Sequence, residues 1–248
     1  MKRKKQKDIL IIGSNSAIMS ESINNFLKKD INVIGVSRNS ANKKFLKNIN
    51  YIHYKMDLLK NFKNIGKLFK KIKKKHKNIG VIIYAQGGTL GEKKIFTDIQ
   101  NWENLWKINF GCSIIINNLF LKDFIKKKYG RILYFNSVAT YLKSGSATYS
   151  SSKICINDYV KKMGNNFSHL NIFINSITTS IVSAKGNNWS KFELKSSKKA
   201  ISNILQKNIS SQKFGRSNYF TEIVDLLCSS RNKFITASNL DLDGGFLK

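Results

Sequence analysis

Short apolar runs alternate with longer amphipathic stretches along this chain, starting at Ile9-Leu10-Ile11-Ile12. Brief apolar runs bounded by Gly, Asn or Ser read as strands covered on both faces, and apolar residues recurring every three or four positions read as helices with one buried side. The pattern predicts strands at Asp8–Gly13, Ile31–Ser37, Tyr51–Lys55, Val81–Ala85, Arg131–Ser137, Asn171–Ile177 and Asn239–Leu242. It predicts helices at about Ala17–Lys29, Phe62–His76, Trp102–Lys127, Tyr149–Ser168, Lys191–Gln206 and Thr221–Ser230, with the long third one open to division near Asn109. Strands that alternate with helices predict an α/β fold: a doubly wound, seven-stranded parallel sheet with helices on both faces, whose ligands bind at the carboxyl ends of the strands.

Composition adds scale. The chain has 248 residues, enough to bury a large core, and no linker or repeat divides it, so 1–248 reads as one domain. No apolar run approaches the roughly 18 residues of a membrane span. The apolar stretch after the basic start is too short for a secretory leader, which predicts a cytoplasmic protein with no membrane partner. Cys112, Cys155 and Cys228 are widely spaced and predict buried free thiols, with no metal site. The net charge of +30 invites a nucleic-acid partner. Against that, only Arg3, Arg38, Arg131, Arg216 and Arg231 are arginine, leaving 39 lysines dispersed along the chain without aromatic interleaving. A solvated lysine surface is the expectation, and nucleic acid is not an expected partner. The complete absence of proline has no physical explanation here.

Two strand ends carry candidate binding chemistry. The first turn reads Gly13-Ser14-Asn15-Ser16-Ala17-Ile18-Met19. A glycine straight after a buried strand permits a sharp turn, and small polar residues leave helix-start amides open to a pyrophosphate. The spacing is that of Gly-x-x-x-Gly-x-Gly with Ala17 and Met19 at the later glycines, so the turn alone also fits an ordinary capped helix. The second strand ends in Ser37-Arg38-Asn39 with no carboxylate nearby. That suits a ribose 2′-phosphate better than a free 2′-hydroxyl.

Tyr149 and Lys153 stand four residues apart on one predicted helix face. A nearby cation lowers a phenol pKa by about 1–3 pH units, toward the range of useful proton transfer. Lysine is abundant, and Tyr51 and Lys55 share the spacing inside a predicted strand, so the motif needs its context. That context is Asn136-Ser137, a hydroxyl at a strand end twelve residues before Tyr149, followed by a small-residue loop over 143–148.

From Ile9 to Phe246 the sequence now resembles the short-chain dehydrogenase/reductase family, in its single-domain branch of 3-oxoacyl-carrier-protein reductase type. The resemblance implies a Rossmann-type fold and hydride transfer between a nicotinamide dinucleotide and a small-molecule ketone or secondary alcohol. It implies catalytic roles for Asn109, Ser137, Tyr149 and Lys153. Ser137 would hold the substrate oxygen, Tyr149 would move the proton, and Lys153 would lower the Tyr149 pKa and hold the nicotinamide ribose. Asn109, in Lys-Ile-Asn-Phe, would hold a relay water. Cofactor contacts would come from Gly13, Ser14, Ser16, Ile18, Ser37, Arg38, Asn39, Asp57, Leu58, Ala85, Gly87, Tyr149, Lys153 and Ile181, with Asp57-Leu58 beside the adenine. Leu240-Asp-Leu-Asp-Gly-Gly245 matches the family's last strand and turn. NADP(H) is the favoured cofactor because of Arg38, with NAD(H) as the alternative.

The resemblance further implies a homodimer or homotetramer, and a lid over about 181–214 whose lysines hint at an acyl-thioester or nucleotide-sugar substrate. The departures are Ala17, Met19, Tyr84-Ala85-Gln86-Gly87 for Asn-Asn-Ala-Gly, and Thr179-Ser180 for Pro-Gly. They leave a catalytically idle dinucleotide binder, or a nucleotide-sugar epimerase or dehydratase, as the alternative readings.

Overall fold

The seven strands of the computed structural model, which describes residues 7–92, 96–142 and 146–247, lie side by side in one parallel sheet. They are β1 (Asp8–Ile12), β2 (Val33–Ser37), β3 (Tyr51–Lys55), β4 (Ile79–Tyr84), β5 (Gly130–Ser137), β6 (Ile172–Thr179) and β7 (Asn239–Leu242). Their spatial order is β3-β2-β1-β4-β5-β6-β7, which reverses direction beside β1. Every residue of β1 and β4 is buried, as central strands of a sheet covered on both faces require.

Alternation along β1 divides the interior into two cores. Leu10 and Ile12 face one side with Phe69, Ile72, Ile116, Phe120 and Phe124. Ile9 and Ile11 face the other with Met19, Ile23, Phe26, Phe220 and Val224. The first side is covered by α3 (Ile65–Lys75), α5 (Cys112–Lys127) and α6 (Ala147–Phe167). The second is covered by α1 (Ser20–Lys28) and α9 (Thr221–Cys228), the latter on the surface opposite α6. Between β2 and β3 lies the short α2 (Lys43–Leu46), and α4 (Ile99–Trp106) precedes α5. The segment after β6 carries α7 (Asn188–Lys195) and α8 (Lys198–Asn208).

Two elements differ from the sequence pattern, each for a local reason. The stretch over Lys191–Gln206 is two helices, because the Ser197 hydroxyl accepts the Ala200 N–H at 3.2 Å and starts a new helix. The long third helix does not divide at Asn109. It runs on through a π-helical turn over Lys107–Gly111, where the Asn109 side chain donates to the Leu105 carbonyl at 2.9 Å. By length and composition the continuous helix Ile99–Lys127 could cross a membrane, but 61% of its apolar window is buried inside the protein, the mark of a core helix. Cys155 also departs from expectation: it is half-buried, whereas Cys112 and Cys228 are fully covered.

At the amino end of the sheet, Arg131 is 1% exposed and, among the described residues, has no carboxylate as a hydrogen-bond partner. Its guanidinium donates to the carbonyls of Ser229, Gly130, Asn171 and Asn232 and to the Asn171 side chain. It lies between the rings of Tyr129 and Phe173, at 4.6 and 4.3 Å. One side chain thus ties β5 to the starts of β6 and of the loop before β7. Arg131→Met keeps the bulk and strips the donors from buried carbonyls, so it is expected to lower the unfolding free energy by about 3 kcal/mol or more. Urea denaturation followed by circular dichroism measures this, and a loss under about 1 kcal/mol contradicts it.

Candidate active site

The first functional turn is shaped by two backbones in close approach. Gly13 has φ +86°, and a Cβ there would stand 2.5 Å from the Gln86 nitrogen and 2.6 Å from the Ala85 carbonyl carbon. Only glycine fits, on conformation and on space. Its N–H donates to the Val36 carbonyl at 2.8 Å, and the Ala85 N–H donates to the Ile12 carbonyl at 2.8 Å, so the ends of β2, β1 and β4 are locked together. A short 3-10 turn over Ala17–Met19 then leads into α1. Met19, at a position where the matching motif has glycine, is fully buried among Ile23, Phe26 and Val224. The extra side chain is taken into the core on the far side of the turn.

Along these strand ends runs a cleft in two lobes. One, of about 220 Å³, is lined by Gly13, Asn15, Ser16, Ser37, Arg38, Asn39, Leu58, Ala85, Gln86 and Gly87, among others. The other, of about 400 Å³, is lined by Ser16, Ile18, Gly87, Ser137, Tyr149, Lys153, Val182 and Trp189, among others. Ser16, Ala85, Gln86 and Gly87 belong to both. The first lobe opens beside Arg38 and Asn39 into a wider hollow of about 750 Å³ that includes Lys55, Asp57 and Lys60.

Most of the residues expected at the site therefore share one cleft. Two do not. Ser14 is 2% exposed; its N–H donates to the Val36 carbonyl at 3.2 Å and its hydroxyl lies by Gly35 and Tyr51, behind the turn. Ile181 is 8% exposed and packs with Val138, Leu205, Ile209, Phe214 and Phe246; its neighbour Val182 faces the cleft instead. Asp57 sits in the outer hollow and uses one carboxylate oxygen to accept the Leu59 and Lys60 amides at 3.0 and 3.1 Å. The pattern reading also missed Asn15, Gln86, Val182 and Asn187, which line the cleft. Of these Gln86 alone carried a signal, as a polar residue where the matching motif has alanine.

In the larger lobe, β5 delivers Ser137 and α6 delivers Tyr149 and Lys153. The Ser146 hydroxyl caps α6 by accepting the Tyr149 N–H at 3.2 Å. The loop residues 143–145 lie outside the described residues. Burial raises the Tyr149 phenol pKa, and the hydrogen bond with the Ser137 hydroxyl offsets part of that rise. In the free protein burial and Ser137, not Lys153, govern this shift. Lys153 is 5% exposed and donates to the Phe135 carbonyl at 2.8 Å, and burial pushes its own pKa down to about 8. Among the described residues its other ammonium hydrogens have no protein acceptor recorded.

Asn109, 1% exposed, acts as a clasp. Its side-chain nitrogen donates to the carbonyls of Leu105 and Gly88, at 2.9 and 3.1 Å, and its oxygen accepts the Gly88 N–H at 3.0 Å. A Cβ on Gly87, φ +117°, would stand 2.1 Å from that oxygen. With both N–H donors committed, the side chain anchors the 87–88 segment, and a relay water cannot be held by those donors.

Next to this segment, Tyr84 stands in place of an asparagine. Its hydroxyl donates to the Asn117 side chain at 2.7 Å, and Asn117 donates to Tyr134 and Tyr159 at 2.8 and 2.9 Å. Thr179 and Ser180 donate to the carbonyls of Asn136, at 3.3 Å, and Asp243, at 2.5 Å. Both departures are thus satisfied by local hydrogen bonds.

A glycine-only cradle, the open start of a helix, a cation at the second strand end and a buried lysine form a cleft that suits a dinucleotide. Comparisons with known proteins agree. The 3-oxoacyl-[acyl-carrier-protein] reductase FabG of Buchnera aphidicola subsp. Schizaphis graminum is 27% identical over 245 residues, 97% of each chain. The structure of ElxO with NADP bound superposes with a TM-score of 0.83 at 23% identity, covering 97% of this chain and 98% of that one. A 4-hydroxyisoleucine dehydrogenase mutant complexed with NADH and succinate gives 0.82 at 25% identity, covering 96% and 98%. The short chain dehydrogenase family model matches residues 7–193, and the chain belongs to that family.

Proposed function

We propose that this oxidoreductase interconverts a ketone and a secondary alcohol, with NADPH as the preferred reductant. The observation that carries the reading is the convergence of Ser137, Tyr149 and Lys153 on one lobe of a cleft whose other lobe ends at Arg38. When bound, the nicotinamide dinucleotide supplies or accepts the hydride. The Ser137 hydroxyl holds the substrate oxygen, and the Tyr149 hydroxyl beside it gives that oxygen a proton in reduction and takes one in oxidation. Lys153 binds the ribose through the hydrogens not used on Phe135, and its positive charge favours the phenolate once the cleft is filled. Asn109 is a positioning residue that sets the floor over Gly87–Gly88.

The segment over 181–214 serves as the lid. Trp189 packs against Phe192 and Phe214, with ring centres 5.8 and 6.4 Å apart, and α7 is held by Arg216 on Glu193 at 2.6 Å. An acyl thioester is the first substrate to test, given what the Buchnera relative acts on. The apolar run Ile9–Ile12 is a central strand, and the cytoplasm is the proposed place of action.

Tyr149→Phe is expected to lower kcat by about 100-fold or more while leaving NADPH affinity within a few-fold. Stopped-flow oxidation of NADPH and fluorescence titration read the two effects, and retention of a tenth of the wild-type rate removes Tyr149 from the proton step. Arg38, exposed at the end of the smaller lobe, is expected to give NADPH at least about a tenfold advantage over NADH. Arg38→Ala should abolish that advantage. Equal dissociation constants for the two cofactors in the wild type, or an unchanged ratio in the variant, rule the assignment out. The assembly is a homodimer or tetramer: Ile99, Trp102 and Trp106 share the outer face of α4 at 74, 36 and 42% exposure, an apolar stripe suited to a second copy. Light scattering in physiological salt is expected to give a multiple of 28.3 kDa, and a monomer alone contradicts this.

A further inference from the structure

At the amino end of the sheet, away from the active cleft, a second hollow of about 630 Å³ lies among the ends of α1, α5 and α9. Lys7, Lys29, Lys127, Lys128, Arg231 and Lys233 line it, together with the buried Arg131. Among the described residues Asp225 is the one carboxylate in that lining. It is 3% exposed and already paired with Lys29, at 2.8 Å, and with Arg231. Lys7 donates to the Asn78 side chain at 3.3 Å and Lys127 to the Lys77 carbonyl at 2.8 Å, both uncharged acceptors. The ammonium groups of Lys128 and Lys233 have no protein acceptor among the described residues.

Seven cations around one carboxylate make a concave surface of one sign, which concentrates its field within the hollow. A helix dipole favours cations at the carboxyl end of a helix, and that accounts for Lys29, Lys127 and Lys128 at the ends of α1 and α5. It does not account for Lys7, Arg231 and Lys233. These lie outside helices and reach the same space from the segments before β1 and before β7. Two of the five arginines of the chain also stand here, which sets the hollow apart from the dispersed lysines of the surface.

We propose that this hollow binds a small anion carrying two or more phosphoryl groups, at a site separate from the active cleft. The class follows from charge and size. Cations on several sides of one space need an anion with negative oxygens on several sides, and ammonium and guanidinium groups both bind phosphoryl oxygens through charge-assisted hydrogen bonds. A hollow of this volume holds a compact molecule rather than a long chain.

Calorimetric titration of the full chain with inorganic tripolyphosphate, in physiological salt and with or without saturating NADPH, tests this. One saturable site per chain is expected, with the same dissociation constant in both conditions. Lys128→Gln combined with Lys233→Gln should weaken it by at least about fivefold. Lys47→Gln combined with Lys71→Gln removes the same charge from exposed positions outside the hollow and should leave it unchanged. No binding, binding without saturation, or equal weakening by the two pairs reduces the hollow to diffuse attraction by a +30 chain and overturns the proposal. So does displacement of the probe by NADPH, which would put it in the dinucleotide cleft. A duplex oligonucleotide that binds more tightly than tripolyphosphate, with the same dependence on Lys128 and Lys233, assigns the surface to nucleic acid and overturns it too.

Discussion

At the active end of the sheet the turn after β1 presses against the segment after β4, with the bare α-carbon of Gly13 against the Ala85–Gln86 peptide. A methyl group there would overlap backbone, which has no rotamer to retreat into. The contact sets how deep the cleft is between the lobes and fixes the direction in which Gln86 and Gly87 leave β4. The Asn109 clasp then holds Gly87–Gly88 from the opposite side. That clasp depends in turn on the π-helical turn over Lys107–Gly111, which brings the Asn109 side chain to the loop without breaking the long helix.

Burial tunes the chemistry in two opposed directions. The phenol of Tyr149 is pushed up and the ammonium of Lys153 is pushed down, because a covered site disfavours either charge. At neutral pH both groups still keep their protons in the free protein, so the phenol is neutral and the ammonium, with its pKa at about 8, remains largely charged. Positioning comes first, through Ser137 on the phenol and Phe135 on the lysine. The same economy governs the departures from the family motif. Met19 is absorbed by apolar packing, and Tyr84 by a three-tyrosine network around Asn117, so neither disturbs the surfaces that face the cleft.

The order of strands and helices, the strand ends that bear Gly13, Arg38 and Ser137, and the Tyr149–Lys153 pair were legible because each depends on local periodicity or spacing. Buried parallel strands must be apolar throughout, and a helix must repeat its buried positions every three or four residues. The bounds of the helices after β6 were less legible, since a capping serine at 197 lies inside an unbroken amphipathic pattern.

Side-chain direction was decided only in three dimensions. Nothing in the string distinguishes Ser14 from Ser16, or Ile181 from Val182. Each pair differs in whether the side chain faces the core or the cleft, and that depends on how the turn leaves its strand. The commitment of Asn109 to Gly88, the unpaired oxygen of Gln86 and the burial that raises Tyr149 likewise arise from contacts between segments far apart in the chain or from burial in the assembled fold. The sequence by itself determined the fold class and named the candidate groups at the strand ends, because periodicity and residue chemistry are local. The tertiary structure alone decided which groups face the cleft, which are spent on holding it, and how their proton affinities are set, because burial and hydrogen bonding are properties of the assembled whole.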